Sequence, residues 1–459
     1  MSEAENAIAG KGRTYILESM PVNKAIWILA IPTMVAMLIQ VVYNMTDTFF
    51  IGKLNDPNMV AAISIVMPIF MLIQAFGNIF AIGGASLISR LLGRGEGENA
   101  SRAGSVSFWS ALVVSTFVSV IGIIFLEPIL MMCGASVNTI GYGKSYLFIM
   151  LLGGPFIGMQ MALGGLLRSE GATRQSMTGM IAGSVLNMIL DPLFILVLHM
   201  GVAGAALGTT IGNIAGFSYY MWFYRQKRSI VSISIKHFST SGNVYADIFK
   251  IGIPASVGMI LLSMGFALAN VFAVGFSDDV VAAYGVVMRI TNITVMLSIG
   301  LAQGCQPLMG YSYGAKNYSR LLDTIKRGVT IGIVMCTVFA VAFFAFSETW
   351  IRIFINNDTV IGLGVKTIRA FVFGMPFLGP QMVLMTMFQS LGKTTQSLVI
   401  ALGRQGLFFI PALFVFSSLW GFNGFIFALP FSDIATVSLS FTLFLIMRKK
   451  LHLARRESE

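Results

Sequence analysis

Charge is scarce in this chain. Only 11% of its 459 residues are Asp, Glu, Lys or Arg, while 56% are apolar and the mean hydropathy is +0.82. A soluble domain carries about 25% charged residues, so a soluble globular fold is excluded. Cysteine is scarce too. Cys133, Cys305 and Cys336 are scattered and odd in number, and they form neither a disulfide framework nor a CxxC metal spacing. The three histidines, His199, His237 and His452, fall in loops or the tail and cannot build a membrane metalloprotease site. No phosphate loop is present. The run Gly93, Arg94, Gly95, Glu96, Gly97 is glycine-rich but lacks the GK[ST] ending, which argues against an ATP-driven pump. Nor is there the Asp-rich motif that a membrane transferase needs. Residues 1–24 are polar and mixed in charge, so no cleaved signal peptide is expected.

Long apolar runs are what the chain has in abundance. About 20 apolar residues cross a bilayer. Twelve such spans are expected, at 25–51, 59–84, 103–126, 144–167, 175–198, 203–224, 248–275, 281–304, 328–346, 367–390, 395–418 and 424–447. The fold class is therefore an all-α membrane protein with the lipid bilayer as its partner. The net charge of +11 is spread between the spans, so it reads as a topology signal and no nucleic-acid partner is expected. With the N-terminus inside, the inner segments hold 24 Lys and Arg. The outer ones hold five: Lys53, Lys144, Arg352, Lys366 and Arg369. Both termini are expected in the cytoplasm, in a plasma membrane.

The two halves repeat each other. Ile31-Pro32-Thr33 matches Ile253-Pro254-Ala255, and Val60-Ala61-Ala62 matches Val281-Ala282-Ala283. Pro155-Phe156-Ile157-Gly158 matches Pro376-Phe377-Leu378-Gly379, and Gly201-Val202-Ala203-Gly204 matches Gly421-Phe422-Asn423-Gly424. The matched offsets stay between 218 and 222 residues. Six spans per half is an even number, so the bundles enter the membrane the same way round, as a parallel repeat with substrate between the halves. The expected layout is a tail at 1–24, one six-helix lobe at 25–225, a linker at 226–247, a second lobe at 248–447 and a basic tail at 448–459.

Only three acids lie well inside spans: Asp47, Asp191 and Asp433. A carboxylate in hydrocarbon costs about 2.5–3.5 kcal/mol and by default marks a functional cavity. Asp47 and Asp191 fall at similar depth near the outer ends of spans one and five. Asn187 lies one turn from Asp191 on the same face, and Thr209 lies at the same level in span six. Two carboxylates, an amide and a hydroxyl suit a small hard cation. Two close carboxylates equally suit a shared proton, because they resist joint ionisation. Gln40, Tyr43 and Asn44 share the Asp47 helix and are candidate cavity-lining residues. Pro32 removes a backbone hydrogen bond and can bend that helix. Asp433 and Arg289 are candidates for a second cavity. Arg289 is expected to pair with Asp433 or to snorkel. The repeat counterparts of Asp47 and Asp191 are Ala269 and Ala412, so ion chemistry is expected in the first half.

The runs QVVYNMTD at 40–47, GASLISRLLGRG at 84–95, LLRSEGAT at 166–173, SVLNMILDPLF at 184–194, GVAGAA at 201–206 and GLAQGCQPLMGYSYGA at 300–315 resemble the MATE (multidrug and toxic compound extrusion) transporters of bacteria. The resemblance implies two six-helix lobes and cation-coupled efflux of lipophilic, mostly cationic compounds by a non-enzyme. It maps a sodium or proton site onto Asp47, Asn187, Asp191 and Thr209, and a helix-bending proline onto Pro32. No cofactor beyond the coupling ion is implied, and a monomer is expected. The alternative is a lipid-linked oligosaccharide flippase of the same superfamily, which needs several cavity cations; Arg289 and Arg404 are the only candidates.

Overall fold

The computed structural model describes residues 12–54, 56–240 and 242–456. Residues 1–11 and 457–459 of the two expected tails lie outside the described residues. Among the described residues there is no strand, and the chain forms two compact units. Unit one is Val35–Ser256 together with the residues up to Met20; unit two is Pro21–Met34 together with the residues from Val257 on.

The helices run in chain order: α1 Val22–Gly52, α2 Pro57–Gly93, α3 Gly97–Ile124, the short α4 Leu126–Met132, α5 Ile140–Ser169, α6 Thr173–Pro192 and α7 Gly201–Arg225. The second half supplies α8 Gly242–Phe276, α9 Asp278–Gly314, α10 Tyr318–Ala345, the short α11 Ser347–Arg352, α12 Asp358–Val372, α13 Met375–Ser390, α14 Thr394–Leu402 and α15 Ile410–Arg456. Wide π-type turns at Leu193–Val197 and Gly403–Phe409 carry α6 and α14 onward. Among the described residues, nine helices are long and apolar enough to cross a membrane, or ten when α12 and α13, bent by 49°, count as one. The twelve expected spans are reached differently. The stretch Thr394–Lys449 is long enough for two crossings and breaks at Gly421 (φ 57°). Helix α7 has the length of a span, but its run of glycines and polar residues keeps its hydropathy below that of the nine.

The duplication is visible in the backbone. Left-handed residues recur at the repeat spacing: Gly95 with Lys316, Gly171 with Gly392, and Gly201 with Gly421. Each lies between two helices, opens one (Gly201) or breaks one (Gly421), where a positive φ turns the chain and glycine adopts it without strain.

The units divide inside helices, whereas the sequence placed the lobe limits in the linker and at 25. Val35 and Val257 each follow a repeat-related proline, Pro32 or Pro254, by three residues. Glycine contacts give the physical reason. A Cβ on Gly83 would fall 2.2 Å from the Ile248 carbonyl oxygen, and one on Gly252 would fall 2.2 Å from the Ile79 oxygen. The first half of α8 therefore packs backbone to backbone on α2, and Ser256 Oγ donates to the Ala75 carbonyl at 2.7 Å. In unit two, Gly300 and Gly304 receive the backbone of Met34 and Ala30 in the same way, and Thr33 Oγ1 donates to the Gly300 carbonyl at 2.6 Å.

The linker is not a free tether. Ser232 N donates to Ser101 Oγ, Trp109 Nε1 to the Ile233 carbonyl and Ser105 Oγ to the Ser234 carbonyl, which straps 232–234 along α3. The buried Glu170 carboxylate anchors its start. It accepts from Ser229 Oγ, Ile230 N, Val231 N and, at 2.9 Å, from Arg13 Nη1. Burial pushes this carboxyl above the usual range, and the Arg13 guanidinium pulls it back.

Gly83→Val forces a side chain onto the Ile248 backbone and should destabilise the purified protein by about 1–3 kcal/mol. Gly285→Ala, inside α9 where a Cβ meets nothing within 4 Å, should melt at or slightly above wild type. Thermal melts in detergent compare the two, and equal melting would contradict the packing.

Candidate functional site

The site is built where α6 and α7 touch without side chains between them. A Cβ on Gly183 would fall 2.6 Å from the Gly212 carbonyl oxygen, and one on Gly212 would fall 2.7 Å from the Gly183 oxygen. Further along the same seam, a Cβ on Gly208 would lie 2.4 Å from Asp191 Oδ1. These three glycines let Asn187, Asp191 and Thr209 meet. Asn187 Nδ2 donates to Thr209 Oγ1 at 3.3 Å, and Asn213 Nδ2 donates to the Thr209 carbonyl at 2.7 Å. Helix α1 brings the Asp47 carboxyl within hydrogen-bonding reach of that of Asp191. Tyr43 approaches Thr209 and both acids. Asp191, Asn187 and Thr209 are 0%, 2% and 6% exposed, while Asp47 and Tyr43 are half-buried.

The hydrogen bonding is unbalanced. Both carboxylate oxygens of Asp191 and Oδ1 of Asn187 are buried with no donor. An ionised Asp47 offers only acceptors, so nothing but a proton or a cation can join the two acids. Leaving such a group unpaired in an apolar interior costs several kcal/mol. The donor set is all oxygen, which fits a proton or a hard monovalent cation.

The matching positions of unit two lack this chemistry. Ala269 and Ala412 lie in its apolar core beside Val287, Phe409 and Leu413. The asymmetry expected from the sequence is therefore built into the packing.

Comparison with known proteins fits the duplicated architecture. The MatE family model matches the chain twice, over residues 32–193 and 254–415. The chain belongs to the MatE family. The multidrug export protein MepA of Staphylococcus saprophyticus is 30% identical over 443 residues, covering 96% of this chain and 98% of the relative. MepA of Staphylococcus aureus is 29% identical over 438 residues, covering 95% and 96%. An outward-facing structure of a multidrug resistance MATE family transporter of the MOP superfamily superposes with a TM-score of 0.91 at 24% identity, covering 97% of this chain and 99% of that one. A MOP superfamily transporter from Pyrococcus furiosus does so at 0.89, again at 24% identity, covering 96% and 99%.

The remaining candidates separate. Gln40 is half-buried and Asn44 exposed on α1, and Pro32 is buried in the half of that helix that belongs to unit two. Arg289 is exposed and does not pair with Asp433. The partner of Asp433 is Arg404, at 2.9 Å, which lies in the wide turn Gly403–Phe409. Tyr146 on α5 was missed; its buried phenol faces Asp47, Asp191 and Tyr43. It sits six residues into its helix, at the depth of the two acids, so the depth argument that joined those acids reaches it too.

Asp191→Asn brings a donor into this acceptor-rich pocket and should melt at or above wild type at mildly alkaline pH. Gly208→Ala drives a methyl group onto the carboxylate and should melt lower, by about 1–3 kcal/mol of stability. The reverse order in detergent melts would contradict the geometry.

Proposed function

We propose that this protein is a secondary active multidrug exporter that exchanges lipophilic, mostly cationic compounds for protons or sodium. The observation that carries the reading is the group of buried acceptor oxygens on Asn187 and Asp191, beside Asp47, with no donor of their own. A coupling cation supplies what they lack. Its arrival from outside relieves the repulsion within the pair; its loss restores two facing negative charges that a cationic drug relieves. Drug and coupling ion thus compete for the same electrostatic deficit, which is what antiport requires. Family membership and the relatives named multidrug export protein support the transport half of the reading. Arg404 is engaged by Asp433 and Arg289 is exposed, so the chain offers little of the basic cavity that an oligosaccharide flippase needs.

The protein works as a monomer in a plasma membrane with both termini in the cytoplasm, the orientation the distribution of Lys and Arg supports. In a cysteine-free background, Val137→Cys (93% exposed) should react with an impermeant thiol reagent on intact cells, and Ile235→Cys (64% exposed) should not. Labelling of Ile235→Cys would reverse the orientation.

Asp47→Asn and Asp191→Asn should each abolish efflux driven by an imposed ion gradient while the protein still inserts. The double variant should be little worse than either, since groups acting as a unit are not additive. Efflux of a cationic dye from proteoliposomes, with sodium and pH gradients imposed separately, measures this. Wild-type coupling in Asp47→Asn would refute the proposal.

A further inference from the structure

Unit two holds a buried ion pair at positions whose repeat counterparts in unit one are uncharged. Arg404 Nε donates to Asp433 Oδ1 at 2.9 Å, with side chains 12% and 6% exposed. At the repeat spacing of 220–221 residues, Asp433 corresponds to Asn213 and Arg404 to Gly183 or Ser184, none of them charged. In unit one those two positions belong to the neutral seam between α6 and α7. In unit two a neutral position has become a cation and the amide an acid, and they meet each other.

The site is shaped to keep them together. Arg404 lies within the wide turn Gly403–Phe409. Asp433 follows Pro430 on α15, at the break between α12 and α13. There, a Cβ on Gly374 would fall 2.9 Å from Pro430 Cα and 3.4 Å from Asp433 Oδ2, so glycine lets the acid approach the bend. The other titratable group facing Asp433 is the Cys336 thiol of α10, which is bonded to Ser298 Oγ at 3.2 Å. Among the described residues, no second carboxylate faces Asp433 in the way that Asp47 faces Asp191.

A guanidinium keeps its proton under all physiological conditions. It therefore supplies permanently what the Asp47–Asp191 pair receives only from a mobile ion. We propose that Arg404 is a tethered counter-cation: it holds Asp433 as a paired carboxylate, closes unit two to proton or sodium exchange, and confines charge turnover to unit one. Arg404 is thus a specificity-determining residue that sets how many exchangeable sites the protein has. The inference rests on the proposed exchange chemistry of Asp47 and Asp191 for its contrast, but its test reads Asp433 by itself.

A hydrophobic carbodiimide modifies buried carboxyl groups only when they are protonated, and mass spectrometry of the digested protein locates the adduct. In purified wild-type protein, Asp433 should stay unmodified. In Arg404→Met, which removes the resident charge, its modification should rise on the order of tenfold or more, equivalent to losing about 1.4 kcal/mol of pairing. Arg404→Lys keeps the charge and should match wild type. Adducts on Asp47 and Asp191 report the exchange site separately, so failure of either reading shows in its own peptide. Asp433 modified in wild type as heavily as in Arg404→Met would overturn the proposal. So would an unmodified Asp433 in Arg404→Met that elutes as folded protein. If Arg404→Met does not purify, Arg404→Gln replaces it with the same expected rise, and the wild-type reading still decides against the proposal if Asp433 is labelled there.

Discussion

A carboxylate buried in an apolar bundle must find a positive charge or a proton. This constraint is met in three different ways here. Glu170 meets it with Arg13 and a ring of donors from the linker. Asp433 meets it with Arg404. Asp191 has no donor, and the acid it faces, Asp47, offers only acceptors when ionised. The first two arrangements are complete within the chain and hold structure in place. The third is incomplete, and an incomplete site is what a transporter needs if an ion is to bind and leave.

Close helix approach makes the incomplete site. Gly183, Gly208 and Gly212 remove the side chains that would otherwise separate α6 from α7. The cost is conformational, since glycine weakens an isolated helix by about 0.5–1 kcal/mol relative to alanine. What is gained is a seam narrow enough to exclude water from Asp191. The same device recurs at Gly83, Gly252, Gly300 and Gly304, where helices cross backbone to backbone. There it decides which unit each half of α1 and α8 joins.

Much of this was legible in the sequence. Hydropathy gave the spans, repeat offsets gave the duplication, and depth along each span joined Asp47 to Asn187, Asp191 and Thr209. What remained hidden depended on distance across the bundle. The partner of Asp433 could not be read, because Arg404 and Asp433 lie 29 residues apart and meet only across the fold. Gly208 looked like one of 48 glycines until its missing Cβ proved to be the space that Asp191 fills. The sequence marked 226–247 only as a linker; its backbone is bonded to serines of α3 that carry no motif. Apolar composition likewise concealed the unit boundaries, since α1 and α8 each read as one continuous span.

The central claim is that drug and coupling ion compete for the negative charge of Asp47 and Asp191. Equilibrium binding of a fluorescent lipophilic cation to the purified protein, measured across a range of proton and sodium concentrations, tests it most directly. The account predicts that affinity falls steadily as the coupling ion is raised, with the ion's own affinity reduced by the same factor when drug is present. Affinity that does not change with either ion would contradict it.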